Sequence, residues 1–175
     1  MHITLRPEHP TDIDAITHLT EAAFRDATHS SHTEQHIVNA LRRHGQLTVS
    51  LVAVEGGTVV GHVAISPVTI SGGATGWYGL GPISVDPAHQ GRGIGSALMH
   101  AALAELRQHG AQGCVLLGEP AYYGRFGFKA HVGLVLPGVP PEYFQALPFA
   151  AEVPAGDVAY HPAFEATASH PDRTQ

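Results

Sequence analysis

With a single cysteine, Cys114, in 175 residues, the chain cannot form an internal disulfide. It has no run approaching about 18 apolar residues and no cationic-then-apolar opening segment, so neither a membrane span nor an export signal is expected. Basic residues are also few. Nine Lys and Arg stand against fifteen Asp and Glu, a formal net charge of −6. The clustered cations that neutralise a phosphate backbone are missing, and nucleic acid recedes as a partner. Fourteen histidines are unusual, and "HSSHTEQH" sets His29, His32 and His36 close together. These three straddle a loop and a helix start, and no Cys or His pair elsewhere answers them, so no metal site is expected. The absences predict a cytoplasmic protein with no membrane partner, one domain over residues 1–165 and a polar tail over 166–175.

What is present reads as a mixed α/β chain. After a short strand, "HITLRP", the segment "TDIDAITHLTEAAF" offers Thr11 as an N-cap and spaces Ile13, Ile16, Leu19 and Ala23 on one helical face. "TEQHIVNALRRHG" repeats that pattern, with Thr33 as cap and Gly45 as stop. "LTVSLVAVEGGTVVGHVAISPVTI" is rich in β-branched residues and breaks at Gly56-Gly57, which predicts an antiparallel hairpin. A further strand, "WYGLGPISVDP", contains Pro82, whose missing N–H predicts a local failure of pairing. A long helix from about Ile94 to Gly110 and the apolar strand "GCVLLGEP" follow. Strand, helix, strand implies a right-handed crossover between parallel strands, with ligand space at their C-terminal ends. "AYYGRFGF" predicts a turn or short helix, "LVLPGVPPEYFQALPF" a proline-interrupted run, and "GDVAYHPAFEA" a last strand that is a candidate interface for a homodimer.

The chemistry concentrates in "HQGRGIGSALM", where Gly91, Gly93 and Gly95 alternate at the mouth of a helix. The first turn of a helix carries unpaired N–H groups and a partial positive charge, and glycines let a polyanion approach closely. Glycines in a tight connection also serve as plain steric relief. No P-loop pattern is present. A dinucleotide-binding oxidoreductase, taking NAD with Glu119 at the end of the next strand, is a weaker alternative. It fits poorly because the loop reads G-x-G-x-G and "DPAHQ" separates it from its strand.

The stretch "LGPISVDPAHQGRGIGSALM" resembles the acetyl-CoA motif of the GNAT superfamily of N-acetyltransferases, whose Q/R-x-x-G-x-G/A signature is met by Gln90, Gly93 and Gly95. Downstream, "YYGRFGF" resembles the family's tyrosine-then-Gly-Phe element. The resemblance runs from about His2 to Phe128. It implies a GNAT-type acyl-CoA N-acyltransferase fold, a mixed central sheet splayed at the cofactor site and flanked by helices, and an acetyl transfer from acetyl-CoA to a small-molecule or protein amine by direct transfer in a ternary complex.

The resemblance further implies that backbone N–H groups of Gly91, Arg92, Gly93, Ile94, Gly95 and Ser96 hold the pyrophosphate, with the Arg92 side chain either a charge partner or solvated. Ile83, Ser84 and Val85 would offer backbone groups to the pantetheine arm, and an N–H near Ile83 would polarise the thioester carbonyl. Tyr123 is expected to be the general acid for the departing thiolate, favoured over its neighbour Tyr122 by counting back from Gly127-Phe128, with the other tyrosine of the pair a packing residue and Arg125, Phe126 and Phe128 as packing and loop support. Some members carry a glutamate on the central strand, but the matching place here, near Gly79, has no carboxylate. Glu119, at the end of the parallel strand, is the candidate general base, with Glu34 and His62 as alternative side chains and water-mediated deprotonation as the default. Cys114 opens an apolar strand and reads as a buried residue rather than an acyl carrier. The missing carboxylate also keeps open a non-catalytic acyl-CoA sensor on the same fold. The two N-terminal helices and the segment after Gly133 are expected to frame the acceptor entrance.

Overall fold

The computed structural model describes residues 2–27, 30–150 and 152–167. Its elements run β1 (Ile3–Pro7), α1 (Ile13–Phe24), α2 (Glu34–Arg43), β2 (Val49–Glu55), β3 (Thr58–Ile70), β4 (Trp77–Val85), α3 (Ile94–Gln108), β5 (Gly113–Leu117), α4 (Pro120–Tyr123), β6 (Leu134–Val135), β7 (Phe144–Pro148) and β8 (Gly156–Tyr160). The main sheet has the order β1-β2-β3-β4-β5-β7. Neighbours along this path are antiparallel except β4 and β5, the parallel pair joined through α3. No helix among the described residues is long and apolar enough to cross a membrane.

Local chemistry explains most boundaries. The β2–β3 hairpin turns at Gly56 and Gly57, with φ of +57° and +81°, and pairs Glu55 with Thr58, as a two-residue turn with both central residues left-handed should. Gly45 and Gly110, at φ of +69° and +78°, follow the ends of α2 and α3. The first helix begins differently from expectation. A 3-10 turn over Pro10–Asp12 precedes it, and the Asp12 carboxylate, not Thr11, takes the local hydrogen bonds, from the His9 N–H at 2.7 Å and from Arg6 at 2.7 Å. The Arg6 pairing, working against partial burial, holds the Asp12 pKa down at about 2. Thr33 does sit at the N-cap of α2, but its hydroxyl makes no capping bond there.

The proline-interrupted run hides a strand. β7 pairs antiparallel with β5 from Phe144↔Leu117 to Pro148↔Gly113. Pro148 is tolerated because β7 is an edge strand and the proline is its last residue. β8 forms as expected, but it is no free edge: it pairs with Val68–Ile70 of β3 and, in parallel, with β6. An interface between two copies through an open β8 edge is therefore not available at those positions.

The core lies on both faces of the sheet, and strand alternation divides it. Leu51 and Ala53 of β2 pack with Val63, Ile65, Leu98, Met99 and Leu106 on the α3 side. Val52, between them, packs with Ile16 of α1 and Val38 of α2 on the other. Cys114 is fully buried in the α3-side cluster, and burial pushes its thiol pKa far up, so it is a core residue and not a thiolate.

Candidate active site

The sheet opens where the sequence breaks its own pattern. β4 pairs with β5 only through Trp77↔Gly113, Tyr78↔Cys114 and Gly79↔Val115, although both strands continue. Against β3 the register shifts between Ile65↔Leu80 and Val63↔Ile83, so Gly81 and Pro82 together oppose a single residue. Pairing thus fails locally at Pro82, and the β4 edge facing β5 is left unpaired from Leu80 onward. The Gly81–Pro82 peptide is cis.

Two clefts adjoin this opening. One, of about 440 Å³, lies at the mouth of α3 and is walled by Val85, Gln90, Gly91, Gly93, Ile94, Gly95 and Ser96 on one side and by Tyr122 and Arg125 on the other. Gly93 is the N-cap at φ +81°, a left-handed conformation that glycine adopts without strain. Ala97 N–H bonds back to the Gly93 carbonyl, so the N–H groups of Ile94, Gly95 and Ser96 precede the helical ladder. The Gln90 amide donates to the Val85 carbonyl at 3.3 Å and ties the loop to the end of β4.

The Arg92 guanidinium is held away from the helix-mouth cleft. Arg92 bonds to Glu55 at 2.7 Å, away from the cleft lining, and this ion pair lowers the Glu55 pKa. Glu55 also holds His89 at 3.2 Å, and His89 holds Asp86 at 2.6 Å, so the network braces the loop against the β2–β3 hairpin. The cation that does line the cleft is Arg125, stacked over the Tyr122 ring at 4.4 Å and donating from Nε to the Tyr122 carbonyl at 3.3 Å. From the sequence this arginine is expected only to support the loop. Its signal was a cation three residues after Tyr122 within one helical turn.

The second cleft, of about 450 Å³, lies where β4 and β5 part. Gly81, Pro82, Ile83, Leu117 and Tyr123 line the strand side, and Phe24, Glu34, Ile37, Leu136, Tyr160 and Phe164 face them. The adjacent tyrosines are thereby separated: Tyr122 lines the helix-mouth cleft and Tyr123 the splay. Gly118 makes room for this, since a Cβ there would collide with the Tyr123 ring. Burial, aided by the neighbouring Tyr122, raises the Tyr123 pKa and keeps its phenol protonated. The strand residues divide likewise. Ile83 and Val85 each wall a cleft, while the Ser84 side chain is buried opposite His62 and offers only its backbone.

The candidate bases fall in three places. Glu119 is exposed at the N-cap of α4 and lines neither cleft, because Gly118 and Pro120 turn the chain away from the β5 axis. His62 is fully buried within β3, bonded through Nε2 to the Ser50 hydroxyl at 2.8 Å, and also lies outside the clefts. Burial drives its pKa down to about 4. Glu34, at the start of α2, lines the splay cleft. Its Oε2 accepts the Ser30 hydroxyl at 2.6 Å, and its Oε1 is buried with no hydrogen-bond partner among the described residues.

Gly79 explains the absent carboxylate. A Cβ there would lie 2.6 Å from Cε2 of Tyr160 and 3.1 Å from Val68, so the Tyr160 ring from β8 occupies the space a side chain would need. Among the described residues, no three His, Cys, Asp or Glu side chains converge as a metal site; His29 lies outside those residues.

A parallel strand pair that splays at a bulge, with a glycine loop and helix N-terminus beside the opening, defines an acyltransferase-type α/β fold. The family model described as "Acetyltransferase (GNAT) domain" matches residues 4–130. An uncharacterised N-acetyltransferase of Escherichia coli K12, YhbS, is 38% identical over 126 residues, covering 71% of this chain and 72% of that protein. Among solved structures, a GNAT family acetyltransferase from Brucella melitensis in complex with acetyl-CoA is 53% identical, with a TM-score of 0.84 over 93% of this chain and 98% of that one. E. coli YhbS in complex with CoA is 35% identical, with a TM-score of 0.85 over 94% and 93% of the two chains. The chain belongs to the GNAT acetyltransferase family, and the dinucleotide-binding alternative falls with that membership.

Proposed function

We propose that the protein is an acetyl-CoA-dependent N-acetyltransferase that acetylates a primary amine directly, in a ternary complex. The observation that carries this reading is the unpaired edge of β4 beyond Gly79, with the helix-mouth cleft at one end and the Glu34 cleft at the other. The two similar structures contain acetyl-CoA and CoA, and the residues here suit such a molecule. The N–H groups of Gly91 to Ser96 and the Arg125 guanidinium receive the pyrophosphate, and backbone groups of Ile83, Ser84 and Val85 hold the pantetheine arm as an added strand.

The bound molecule supplies an activated acetyl thioester. An N–H near Ile83 meets the negative charge that develops on the carbonyl oxygen. Glu34 takes a proton from the incoming ammonium, the role first sought at Glu119. Tyr123 gives its proton to the departing thiolate and regains one from the acylated nitrogen. The balance is one C–N bond formed, one C–S bond broken and one proton released to solvent.

The test is a calorimetric titration of acetyl-CoA into wild type and Ser96→Glu. Ser96 lies in the first turn of α3, where a glutamate suits the helix but repels a pyrophosphate. The expected result is binding weakened at least about tenfold in the variant. No binding to folded wild type overturns the reading. Binding without turnover of any amine favours the sensor.

A further inference from the structure

We infer that the acceptor is a small, singly charged primary amine with an apolar, preferably aromatic, body, rather than a polyamine, an aminoglycoside or a peptide. The inference rests on the acetyltransferase reading and deepens it. Opposite the β4 opening, the wall of the splay cleft comes from α1, α2, the segment after β6, β8 and the turn that follows it: Phe24, Ile37, Leu136, Tyr160 and Phe164, with Glu34 among them. Tyr160 and Phe164 meet edge to face at 4.8 Å between centroids, a ready surface for a third ring. Burial raises the Tyr160 pKa, so the phenol adds no charge. Among the described residues, Glu34 is the one acidic side chain of this lining, and the lining contains no basic one.

The carboxylate is prepared for a single cation. Its Oε2 is fixed by Ser30, whose hydroxyl also accepts the His32 N–H at 2.8 Å, while Oε1 is buried and has no partner among the described residues. A buried acceptor with no donor is costly, and an ammonium arriving from the cleft supplies both donor and countercharge. A second or third ammonium would find no second carboxylate in this lining and would pay its desolvation without a countercharge. An extended peptide would need backbone partners that this side-chain wall does not offer. The amine nitrogen is thereby held between Glu34 and the thioester end at Tyr123. There its lone pair forms the new C–N bond as the C–S bond breaks, its first proton passes to Glu34, and the thiolate is protonated by Tyr123.

The experiment compares kcat/KM for phenethylamine and hexylamine with that for spermidine, kanamycin and an alanyl peptide at saturating acetyl-CoA, reading CoA thiol release. Leu136→Glu, in the half-buried segment after β6, adds a second carboxylate outside the sheet. The expected result is phenethylamine favoured at least tenfold over the polycations and the peptide in wild type. In Leu136→Glu the ratio of 1,6-diaminohexane to hexylamine should rise severalfold. The inference is overturned if a polycation or the peptide equals or exceeds phenethylamine, or if no apolar amine is acetylated by protein that binds acetyl-CoA by calorimetry. Failure of acetyl-CoA to bind at all would instead remove the acetyltransferase reading beneath it.

Discussion

His62 makes the stability of this protein depend on pH in a way that one substitution should abolish. The imidazole is fully buried in β3, with Ser50 on Nε2 at 2.8 Å, the Glu8 carboxylate 4.0 Å away and Arg42 paired to that same carboxylate at 2.7 Å. Burial lowers its pKa from 6.5 to about 4, against a smaller raising effect from Glu8. A histidine with a depressed folded pKa contributes stability above its unfolded pKa, and that stability is lost as pH falls toward the folded value. The shift corresponds to about 2 kcal/mol lost between about pH 7.5 and pH 5, and about 3 kcal/mol once pH is below 4. Glu8 contributes separately. Burial raises its pKa, but hydrogen bonds from Arg42 and Ser50 outweigh that and leave it lowered, so its stabilisation is lost only below its ordinary value of 4.5. Measuring at pH 5 therefore leaves Glu8 out of the comparison. Urea unfolding of wild type and His62→Gln at both pH values gives a double difference in which the other histidines cancel. The variant should lose about 2 kcal/mol less than wild type on acidification. Equal losses, within about 0.5 kcal/mol, would refute the assignment of that pH dependence to His62.

Tyr123→Phe should lower kcat by about 100-fold or more while leaving acetyl-CoA affinity unchanged in calorimetry, and unchanged turnover would remove Tyr123 as general acid. Gly79→Ala places a Cβ 2.6 Å from the Tyr160 ring and should destabilise by about 1–3 kcal/mol, visible as a lower Tm; an unchanged Tm would mean the ring yields freely. Arg125→Ala should weaken acetyl-CoA binding about fivefold, more at low ionic strength, whereas Arg92→Ala should change it little because Arg92 faces Glu55. Equal effects of the two would overturn the choice of cation.

Much of the fold was legible because it rests on local rules. The Gly56-Gly57 hairpin, the apolar stripes of α1, α2 and α3, and the parallel pair flanking α3 each follow from backbone preferences or periodicity over a few residues. The elements misread were those governed by distant partners. β7 escaped because its prolines suggested irregularity, and only its position at the sheet edge makes Pro148 harmless. Thr11 looks like a cap in sequence, but the chain enters α1 through a 3-10 turn in which Asp12, held by Arg6 of the preceding strand, reaches back to the His9 N–H.

The site divides along the same line. "QGRGIG" and Pro82 mark in sequence a glycine-lined helix mouth and a strand that parts from its neighbour, because both depend on main-chain chemistry carried by the residues themselves. Which side chains then face that opening was decided by tertiary packing alone. Glu34 and Glu119 are equally plain carboxylates in the sequence, yet the start of α2 brings one into the cleft, and the turn at Gly118 and Pro120 leaves the other in solvent. The empty position at Gly79 is filled by Tyr160, eighty-one residues along the chain, because β8 returns beside β3. Backbone preference is local and can be read from neighbours; the direction of a side chain into a shared cavity depends on how distant elements pack, and only the folded chain specifies that.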